Sequence, residues 1–257
     1  MPASSTQLTT NPESSMTSLL VEDRDGVRIL TMNRPEKHNA LNTDLTTRLL
    51  YALRDADADP TVRSVVLTGN GKSFCAGADT SEFSALVPED PSAVNQRADL
   101  TTALHATFSR IAKPVIAAVR GNALGGGAGL ALACDMTVMA DDVRFGYPEL
   151  KHGILPAIVM ANLVRQLGRK DAFELVALGE TLDGARAKEM RLANRVCPAA
   201  DVLDTAIAIA AKMAAWNPLA MTTTKRLFHR VADQPLEAGL AIGRDANVMM
   251  RGFRNNK

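Results

Sequence analysis

The stretch Val119-Arg120-Gly121-Asn122-Ala123-Leu124-Gly125-Gly126-Gly127-Ala128-Gly129-Leu130 decides how this chain can fold. It follows the apolar, β-prone run Pro114–Val119 and precedes the helix-like segment Leu130–Cys134. Three successive glycines at a strand-to-helix junction let the backbone approach a ligand without obstruction by Cβ atoms. The first N–H groups of a helix have no partner within the helix, so they can bind an oxygen that carries negative charge. This turn therefore predicts one half of an oxyanion-binding site.

A second glycine-containing turn, Ala76-Gly77-Ala78, follows the strand-like run Val65–Gly69 in a similar context. If the two turns converge, two backbone N–H groups can point at one carbonyl oxygen. In comparable sites the loss of one such donor raises the reaction barrier by about 3–4 kcal/mol. The alternative is that each turn only packs a helix against a strand, and the sequence leaves both interpretations open.

Other glycine motifs do not fit the sequence. Gly71-Lys72-Ser73 resembles the end of a phosphate-binding P-loop, but Val66 stands where that loop requires glycine. A dinucleotide-binding pattern that starts at Gly125 fails because Leu130 occupies its last position. The chain also has no Gly-x-Ser-x-Gly turn of a serine hydrolase. These exclusions favour the oxyanion interpretation.

Composition limits the possible partners and compartment. The formal net charge of +1 gives no electrostatic reason to expect nucleic acid or an anionic membrane as a partner. No apolar run approaches the roughly 18 residues of a membrane span. The three cysteines are far apart, which suits a reducing cytosol and predicts a cytoplasmic location. Residues 1–17 are rich in Ser, Thr, Pro and Asn and lack the pattern of a signal peptide, so we expect a disordered extension there.

Alternating strand and helix patterns predict an α/β fold with parallel strand pairing. Asp25-Gly26 predicts a hairpin between two strands, and Asn42 or Thr43 can cap a helix over residues 45–58. From Asp171 onward the pattern is nearly all helical. We therefore predict one core over residues 18–200 and a helical region over 201–257, which would cover the site or contact another subunit.

Four segments together resemble the crotonase (enoyl-CoA hydratase/isomerase) superfamily, in the order in which that family has them. The segments are Asn33–Asn42 (NRPEKHNALN), Phe74–Asp79 (FCAGAD), Gly121–Gly127 (GNALGGG) and Phe145–Glu149 (FGYPE). The resemblance implies a crotonase-like spiral of ββα units with a helical C-terminal trimerisation region. It also implies acyl-CoA thioester substrates and a homotrimer or dimer of trimers. No metal and no cofactor are implied beyond the coenzyme A that the substrate carries.

The resemblance also implies roles for single residues. The amides of Ala78 and Gly126 would hold the thioester oxygen, and Glu149 would transfer the proton. The residues that would line the substrate and its coenzyme A are Lys37, His38, Ala40, Ala76, Gly77, Asp79, Gly125 and Pro148. For three of them a plainer interpretation stays open: Lys37 as a solvated lysine, His38 as a surface turn residue and Asp79 as a helix cap.

Gly129 is where the sequence departs from the family pattern. Hydratases of the family typically carry a first glutamate two residues after the glycine triplet and a second after the proline of the Phe-Gly-x-Pro-Glu segment. The first position is Gly129 here, whereas the second, Glu149, is intact. One carboxylate suffices to shift a double bond, while hydration is easier with two. The sequence thus predicts a single-glutamate enzyme that hydrates or isomerises enoyl-CoA. The alternatives are hydrolysis, C–C cleavage or decarboxylation of an acyl-CoA, or a catalytically silent acyl-CoA-binding protein.

Several other residues keep more than one interpretation. The Tyr147 hydroxyl could lie near the site, although packing is the favoured expectation, and Cys75 is expected to be a buried thiol. Phe228 and Lys225 could contact the acyl chain or coenzyme A, or else be a core residue and a solvated lysine. The proline-bearing stretch around residues 88–91 is a candidate flap over the site.

Overall fold

The structure is a computed structural model that describes residues 17–87 and 89–251. The extension predicted for residues 1–17 therefore lies outside the described residues, except for Thr17. In the described ranges the strands are β1 (Leu19–Arg24), β2 (Val27–Met32), β3 (Ser64–Gly69), β4 (Val115–Val119), β5 (Asn122–Leu124), β6 (Met136–Ala140), β7 (Arg144–Gly146), β8 (Thr181–Leu182) and β9 (Arg195–Cys197).

The helices alternate with these strands at first and then dominate the C-terminal third. They are α1 (Thr43–Ala58), α2 (Pro91–Arg110), α3 (Gly126–Ala133), α4 (Met160–Gln166), α5 (Arg169–Leu178), α6 (Gly184–Glu189), α7 (Val202–Ala214), α8 (Pro218–Val231) and α9 (Leu236–Met249). Short 3₁₀ helices lie at Pro35–Lys37, Thr80–Ala85, Glu149–His152 and Ala199–Asp201.

A six-stranded sheet forms the centre of the molecule, in the order β1-β2-β3-β4-β6-β9. β1 and β2 form the antiparallel hairpin that the Asp25-Gly26 turn predicted, and every later neighbour in this sheet pairs in parallel, which confirms the second expectation. β3 and β4 are buried along their whole length. Such continuous burial is typical of parallel strands with both faces covered.

A second sheet of three short strands, β5-β7-β8, carries the segments next to the candidate site. β5 pairs with β7 in parallel, and β7 pairs with β8 antiparallel. The sequence did not predict β5, because three residues between a strand and a glycine turn give no periodicity to detect. β5 of this sheet leads through Gly125 into α3, so the sheet fixes where α3 begins.

The helices cover the central sheet through apolar faces. The Asn42 side chain caps α1 by accepting the N–H of Leu45 at 2.9 Å, as the sequence predicted. α1 packs against α2, and α7 packs against β3 and β4. α8 and α9 pack against each other and leave several large apolar side chains exposed, among them Leu219, Phe228, Leu236, Leu240 and Val248.

The C-terminal region is helical, as expected, although α7 belongs to the cover of the central sheet. The division of the chain into residues 18–200 and 201–257 stays a prediction. None of the helices in the described ranges combines the length and the apolar character that a membrane crossing needs.

Candidate active site

A short backbone bridge brings the two glycine-containing turns together. Cys75 pairs with Ala123 of β5: the Cys75 N–H donates to Asn122 O and the Leu124 N–H donates to Cys75 O, each at 3.0 Å. As a result, the Gly126 nitrogen lies 3.4 Å from the position that a Cβ atom on Gly77 would take. The two turns, which are 48 residues apart in sequence by the numbering of Ala78 and Gly126, are therefore in direct contact.

The N–H groups of Ala78 and Gly126 are both left without a protein acceptor within residues 17–87 and 89–251. Among these residues, the Ala78 N–H is free because Leu41, the residue paired with Ala78, forms its hydrogen bonds with the two neighbours of Ala78. The Leu41 N–H donates to Gly77 O at 2.7 Å, and the Leu41 carbonyl accepts the Asp79 N–H at 3.1 Å. Gly126 is the first residue of α3, so its N–H has no partner one turn earlier. Two adjacent donors of this kind can bind one anionic oxygen.

The three glycines of the triplet serve different purposes. Gly125 has φ +52°, and a Cβ atom there would lie 2.7 Å from Oε1 of Glu149. At Gly127 a Cβ atom would lie 2.2 Å from the Cys75 carbonyl oxygen, which no real contact allows. Gly127 thus fits the packing interpretation of the turn, while Gly126 presents its N–H beside Ala78.

Glu149 faces this turn from the second sheet. It follows β7 and Pro148 and begins the 3₁₀ helix Glu149–His152. Its carboxylate is partly buried, and Oε2 is enclosed without a hydrogen-bond partner among the described residues. Burial raises the pKa of Glu149 above its ordinary value, against smaller opposing effects of a backbone hydrogen bond and His152. A carboxyl group with a raised pKa is suited to accept and return a proton.

Tyr147 lies close to Glu149 at the end of β7. Its ring is fully buried and packs edge-to-face on Phe145 at a centroid distance of 6.1 Å, as the packing expectation requires. Its hydroxyl oxygen nevertheless has no hydrogen-bond partner in the described chain. Burial, with a further contribution from the Glu149 charge, raises the pKa of Tyr147.

At Gly129 the chain lacks space as well as a carboxylate. A Cβ atom at this position would lie 2.4 Å from Cγ1 of Val159 and 3.0 Å from Cε1 of His105. Val159 and His105 are both buried. The sequence identified the missing carboxylate, but it gave no signal that these two residues, 30 and 24 positions away by their numbers, fill the position.

The residues predicted to line coenzyme A lie around the same two turns. The Ala76 N–H donates to His38 O at 3.0 Å, which holds the Ala76–Ala78 turn against the Asn33–Asn42 segment. The side chains of Lys37 and His38 are exposed, and His38 Nδ1 lies 3.1 Å from Ser73 Oγ. Ala40 is buried, and Gly77, Gly125 and Pro148 lie within the turns already described.

Asp79 makes its contacts within the protein. Its carboxylate accepts the Ser81 hydroxyl at 2.6 Å and pairs with Arg34 at 2.8 Å. The hydrogen bond from Ser81, followed by that from Arg34, lowers the pKa of Asp79 below its ordinary value. These contacts agree with the interpretation of Asp79 as a cap, here of the 3₁₀ helix Thr80–Ala85.

Arg34 and Asn39 support the site, although the sequence only placed them within a motif. Arg34 donates to Ala40 O at 2.5 Å as well as to Asp79. Asn39 has φ +57°, and its buried side chain donates to Ser73 O at 2.7 Å and Asn70 O at 2.9 Å. Together they tie the segment before α1 to the turn that contains Ala78. An asparagine in a polar turn motif is a signal for such a backbone conformation.

Other candidates lie apart from the turns. Cys75 is fully buried, and burial raises the pKa of its thiol to about 12, so it is protonated at neutral pH, as expected of a buried thiol. Lys225 is buried against Asp135, with 2.6 Å between Nζ and Oδ2, so the solvated-lysine interpretation is wrong. Phe228 is 65% exposed and is not a core residue.

Of the flap predicted around residues 88–91, Pro88 lies outside the described residues, and Pro91 is the first residue of α2. In the part of the chain that the structure describes, no group of three or more His, Cys, Asp or Glu side chains could hold a metal ion. The two turns present two amide donors opposite the Glu149 carboxylate.

Fold and site define an α/β enzyme of the crotonase class. A family model described as enoyl-CoA hydratase/isomerase matches residues 22–252. A Thermus thermophilus relative, provisionally named an enoyl-CoA hydratase, is 40% identical over 232 residues, which cover 89% of this chain and 90% of the relative. The 2,3-dehydroadipyl-CoA hydratase of Escherichia coli is 37% identical over 236 residues, 91% of each chain.

The crystal structure of an enoyl-CoA hydratase from Polaromonas superposes with a TM-score of 0.86 at 33% identity, covering 90% of this chain and 91% of the other. This chain belongs to the enoyl-CoA hydratase/isomerase family. The resemblance and the crotonase fold with its helical C-terminal region are thereby confirmed. The roles of single site residues, the cytoplasmic location and the trimer stay predictions.

Proposed function

We propose that the protein hydrates 2-enoyl-CoA thioesters through an enolate, with Glu149 as its single proton-transferring carboxylate. One observation carries this proposal: among the described residues, the N–H groups of Ala78 and Gly126 have no acceptor, and they adjoin Glu149, whose buried Oε2 has no partner there either. The two donors would stabilise the charge that develops on the thioester oxygen. The Glu149 carboxylate would take a proton from water and deliver it to carbon 2.

In this proposal, the residues predicted to contact coenzyme A bind it around the two glycine-containing turns. Lys37 and His38, which are exposed in the Asn33–Asn42 segment as are Pro35 and Glu36, would lie next to the coenzyme A phosphates. The remaining contacts would be made largely by backbone atoms: Ala40, Ala76, Gly77, Asp79, Gly125 and Pro148. The proposed reaction uses no metal and no further cofactor.

A second candidate reaction is migration of the double bond between carbons 3 and 2. The packing of Val159 at Gly129 favours it, because a second carboxylate cannot stand there. Isomerisation needs one base that removes a proton at one carbon and returns it at another. Hydration remains the first candidate because it needs only that the same carboxylate serves water and carbon 2 in turn.

Two substrates and one substitution test these proposals. The purified enzyme is given crotonyl-CoA and 3-hexenoyl-CoA, and products are separated by chromatography. Formation of 3-hydroxybutyryl-CoA supports hydration, and formation of 2-hexenoyl-CoA without water addition supports isomerisation. Glu149→Gln should lower the rate by about 10²–10⁴-fold, the usual contribution of a positioned acid–base group. Unchanged turnover in Glu149→Gln would refute the mechanism, and a Glu174→Gln variant on an exposed face of α5 is the matched control.

We also propose that the outer face of α8 and α9 contacts further copies of the chain in a homotrimer or dimer of trimers. The exposed apolar side chains on this pair, such as Phe228, Leu236 and Leu240, support the proposal. Light scattering after size-exclusion chromatography measures the mass directly. A monomer at micromolar concentration would refute it.

A further inference from the structure

Three residues carry buried side-chain polar atoms without a partner. Within residues 17–87 and 89–251, these nitrogen and oxygen atoms belong to Glu149, Tyr147 and His105. Buried polar groups are normally hydrogen-bonded, so each of these three calls for an explanation, and a bound ligand is one. Glu149 and Tyr147 adjoin the proposed reaction centre, whereas His105, on α2, has no role in the mechanism described above. Both of its ring nitrogens are unpaired, and the residue is only 7% exposed.

Glu149 and His105 lie against two glycines at the start of α3: Glu149 lies over Gly125, the residue that precedes the helix, and His105 lies over Gly129. The Gly129 N–H donates to Gly125 O at 2.9 Å, so the two glycines are one helical turn apart, about 5–6 Å along the axis. The imidazole and the carboxylate therefore contact positions one helical turn apart. A short acyl segment with one oxygen substituent can span that separation.

The imidazole is neutral under ordinary conditions, because burial lowers the pKa of His105 to about 4. A neutral imidazole has one N–H donor and one nitrogen acceptor. Water and an alcohol group can each donate and accept a hydrogen bond, so either of them can bind to either ring nitrogen. Val159, which touches the same Gly129 position, supplies an apolar wall beside the imidazole.

We propose that His105 binds the oxygen at carbon 3 of the acyl chain: the incoming water before hydration and the 3-hydroxyl group after it. This inference rests on the proposed hydratase function. As the water oxygen bonds to carbon 3, the π electrons of the C2=C3 bond move toward carbon 2 and the thioester oxygen. Glu149 takes the proton released by water and delivers it to carbon 2. His105 keeps its own proton throughout and positions the oxygen.

The test compares two ligands that differ by this oxygen. Binding of 3-hydroxybutyryl-CoA and butyryl-CoA is measured by calorimetry in a Glu149→Gln background, in which turnover is slowed. We expect the hydroxylated ligand to bind about tenfold more tightly, the effect of one good hydrogen bond. His105→Leu should abolish this preference, and His105→Gln, which keeps a donor and an acceptor, should retain part of it. His229→Gln is the control, because His229 is already paired with Asp135 at 3.0 Å.

Nitrogen NMR provides a measurement that ligand binding would not change if His105 had only a structural role. The chain has four histidines, so the ring signals of His105 can be assigned from the His105→Gln variant. They should shift with 3-hydroxybutyryl-CoA and stay in place with butyryl-CoA.

Two contrary outcomes are distinguishable. If both ligands bind equally before and after His105→Leu and the His105 signals do not move, His105 belongs only to the separate cavity of about 790 Å³ that it lines with Asp135 and His229, and the inference is overturned. If neither thioester binds, the proposed function itself fails, and this inference fails with it.

Discussion

The two sides of the candidate site present different chemical groups: backbone N–H groups on one side and side chains on the other. On one side, the N–H groups of Ala78 and Gly126 are held in place by backbone bridges through Leu41 and Cys75. On the other side, the side chains of Glu149 and His105 lie over Gly125 and Gly129 at the start of α3. We call these the amide side and the side-chain side.

The difference separates what the fold fixes from what substitution can change. On the amide side, a side chain at Gly127 would collide with the backbone of Cys75, so the position tolerates no variation without moving the turn. On the side-chain side, the obstacles at Gly129 are the side chains of Val159 and His105, which substitution can remove. We infer that the amide side sets the class of reaction and that the side-chain side selects among reactions of that class.

The largest effect should come from breaking the amide side. Gly127→Ala places a methyl group 2.2 Å from the Cys75 carbonyl oxygen, so the start of α3 must shift. The Gly126 N–H then no longer points at the position of the thioester oxygen. We expect kcat to fall by about 10²–10³-fold, as when one oxyanion donor is removed. Steady-state kinetics on crotonyl-CoA measure this effect.

The matched control is Gly243→Ala on α9, where an added Cβ atom meets nothing within 4 Å. Alanine is favoured over glycine in a helix by about 1 kcal/mol, so this variant should be fully active and slightly more stable. Full activity in Gly127→Ala would contradict the assignment of the amide side.

A smaller effect should follow from rebuilding the side-chain side. Gly129→Glu alone must displace Val159, and overpacking of this kind costs about 1–3 kcal/mol in stability. Combined with Val159→Ala, the new carboxylate gains room, and we expect hydration of crotonyl-CoA to rise by about 10²-fold above the Val159→Ala parent, the lower end of the contribution of one acid–base group. Thermal unfolding and hydration rates are measured on both variants.

If Gly129→Glu is as stable as the natural chain without the second change, Val159 does not fill the position. If the double variant folds and gains no hydration, the absent carboxylate does not limit the reaction.

The same comparison shows what sequence could predict. The hairpin at Asp25-Gly26, the Asn42 cap and the parallel order of β2, β3 and β4 follow from local patterns, and all of them were confirmed. The convergence of Ala78 and Gly126 was inferred from two similar turns and a family resemblance, and the structure brings them together.

The contents of the side-chain side could not be predicted. His105, Gly129 and Val159 are distant in sequence, and their contact depends on how α2 and the segment before α4 pack on α3. Lys225 carried the same difficulty: a lysine on an amphipathic helix is usually solvated, and only the fold brings Asp135 to it. Such tertiary contacts leave no periodic signal in either partner.

A moderate effect should come from loosening the support of the amide side. Arg34 is a largely buried partner of Asp79, and Arg34→Gln removes charge-assisted hydrogen bonds to Asp79 and Ala40 O. We expect a loss of about 2 kcal/mol in unfolding free energy and a several-fold lower kcat/KM, because the turn with Ala78 is no longer held. Chemical denaturation and steady-state kinetics measure both.

Arg48→Gln is the control for Arg34, since Arg48 pairs with Asp44 at 2.8 Å on an exposed helix face. Such surface pairs contribute about 0–1 kcal/mol. Equal losses in the two variants would mean that Arg34 does not support the turn specifically.

The smallest effect concerns the stability cost of Glu149 itself. Its pKa is raised in the folded protein above the ordinary value of 4.5, so the folded state holds this proton more tightly than the unfolded state. Stability contributed by the protonated form is therefore present below pH 4.5 and is lost as pH rises through the folded pKa. At pH 7 the ionised carboxylate opposes folding, and Glu149→Gln should raise Tm. Because the group is only partly buried, the rise should be about 1–2 °C. The rise should shrink as the pH is lowered toward 4, and Glu174→Gln, on an exposed face of α5, is the control for the substitution itself. A lower Tm for Glu149→Gln at pH 7 would mean that the carboxylate stabilises the fold, and the side-chain side would then be part of the scaffold rather than a site held ready for a substrate.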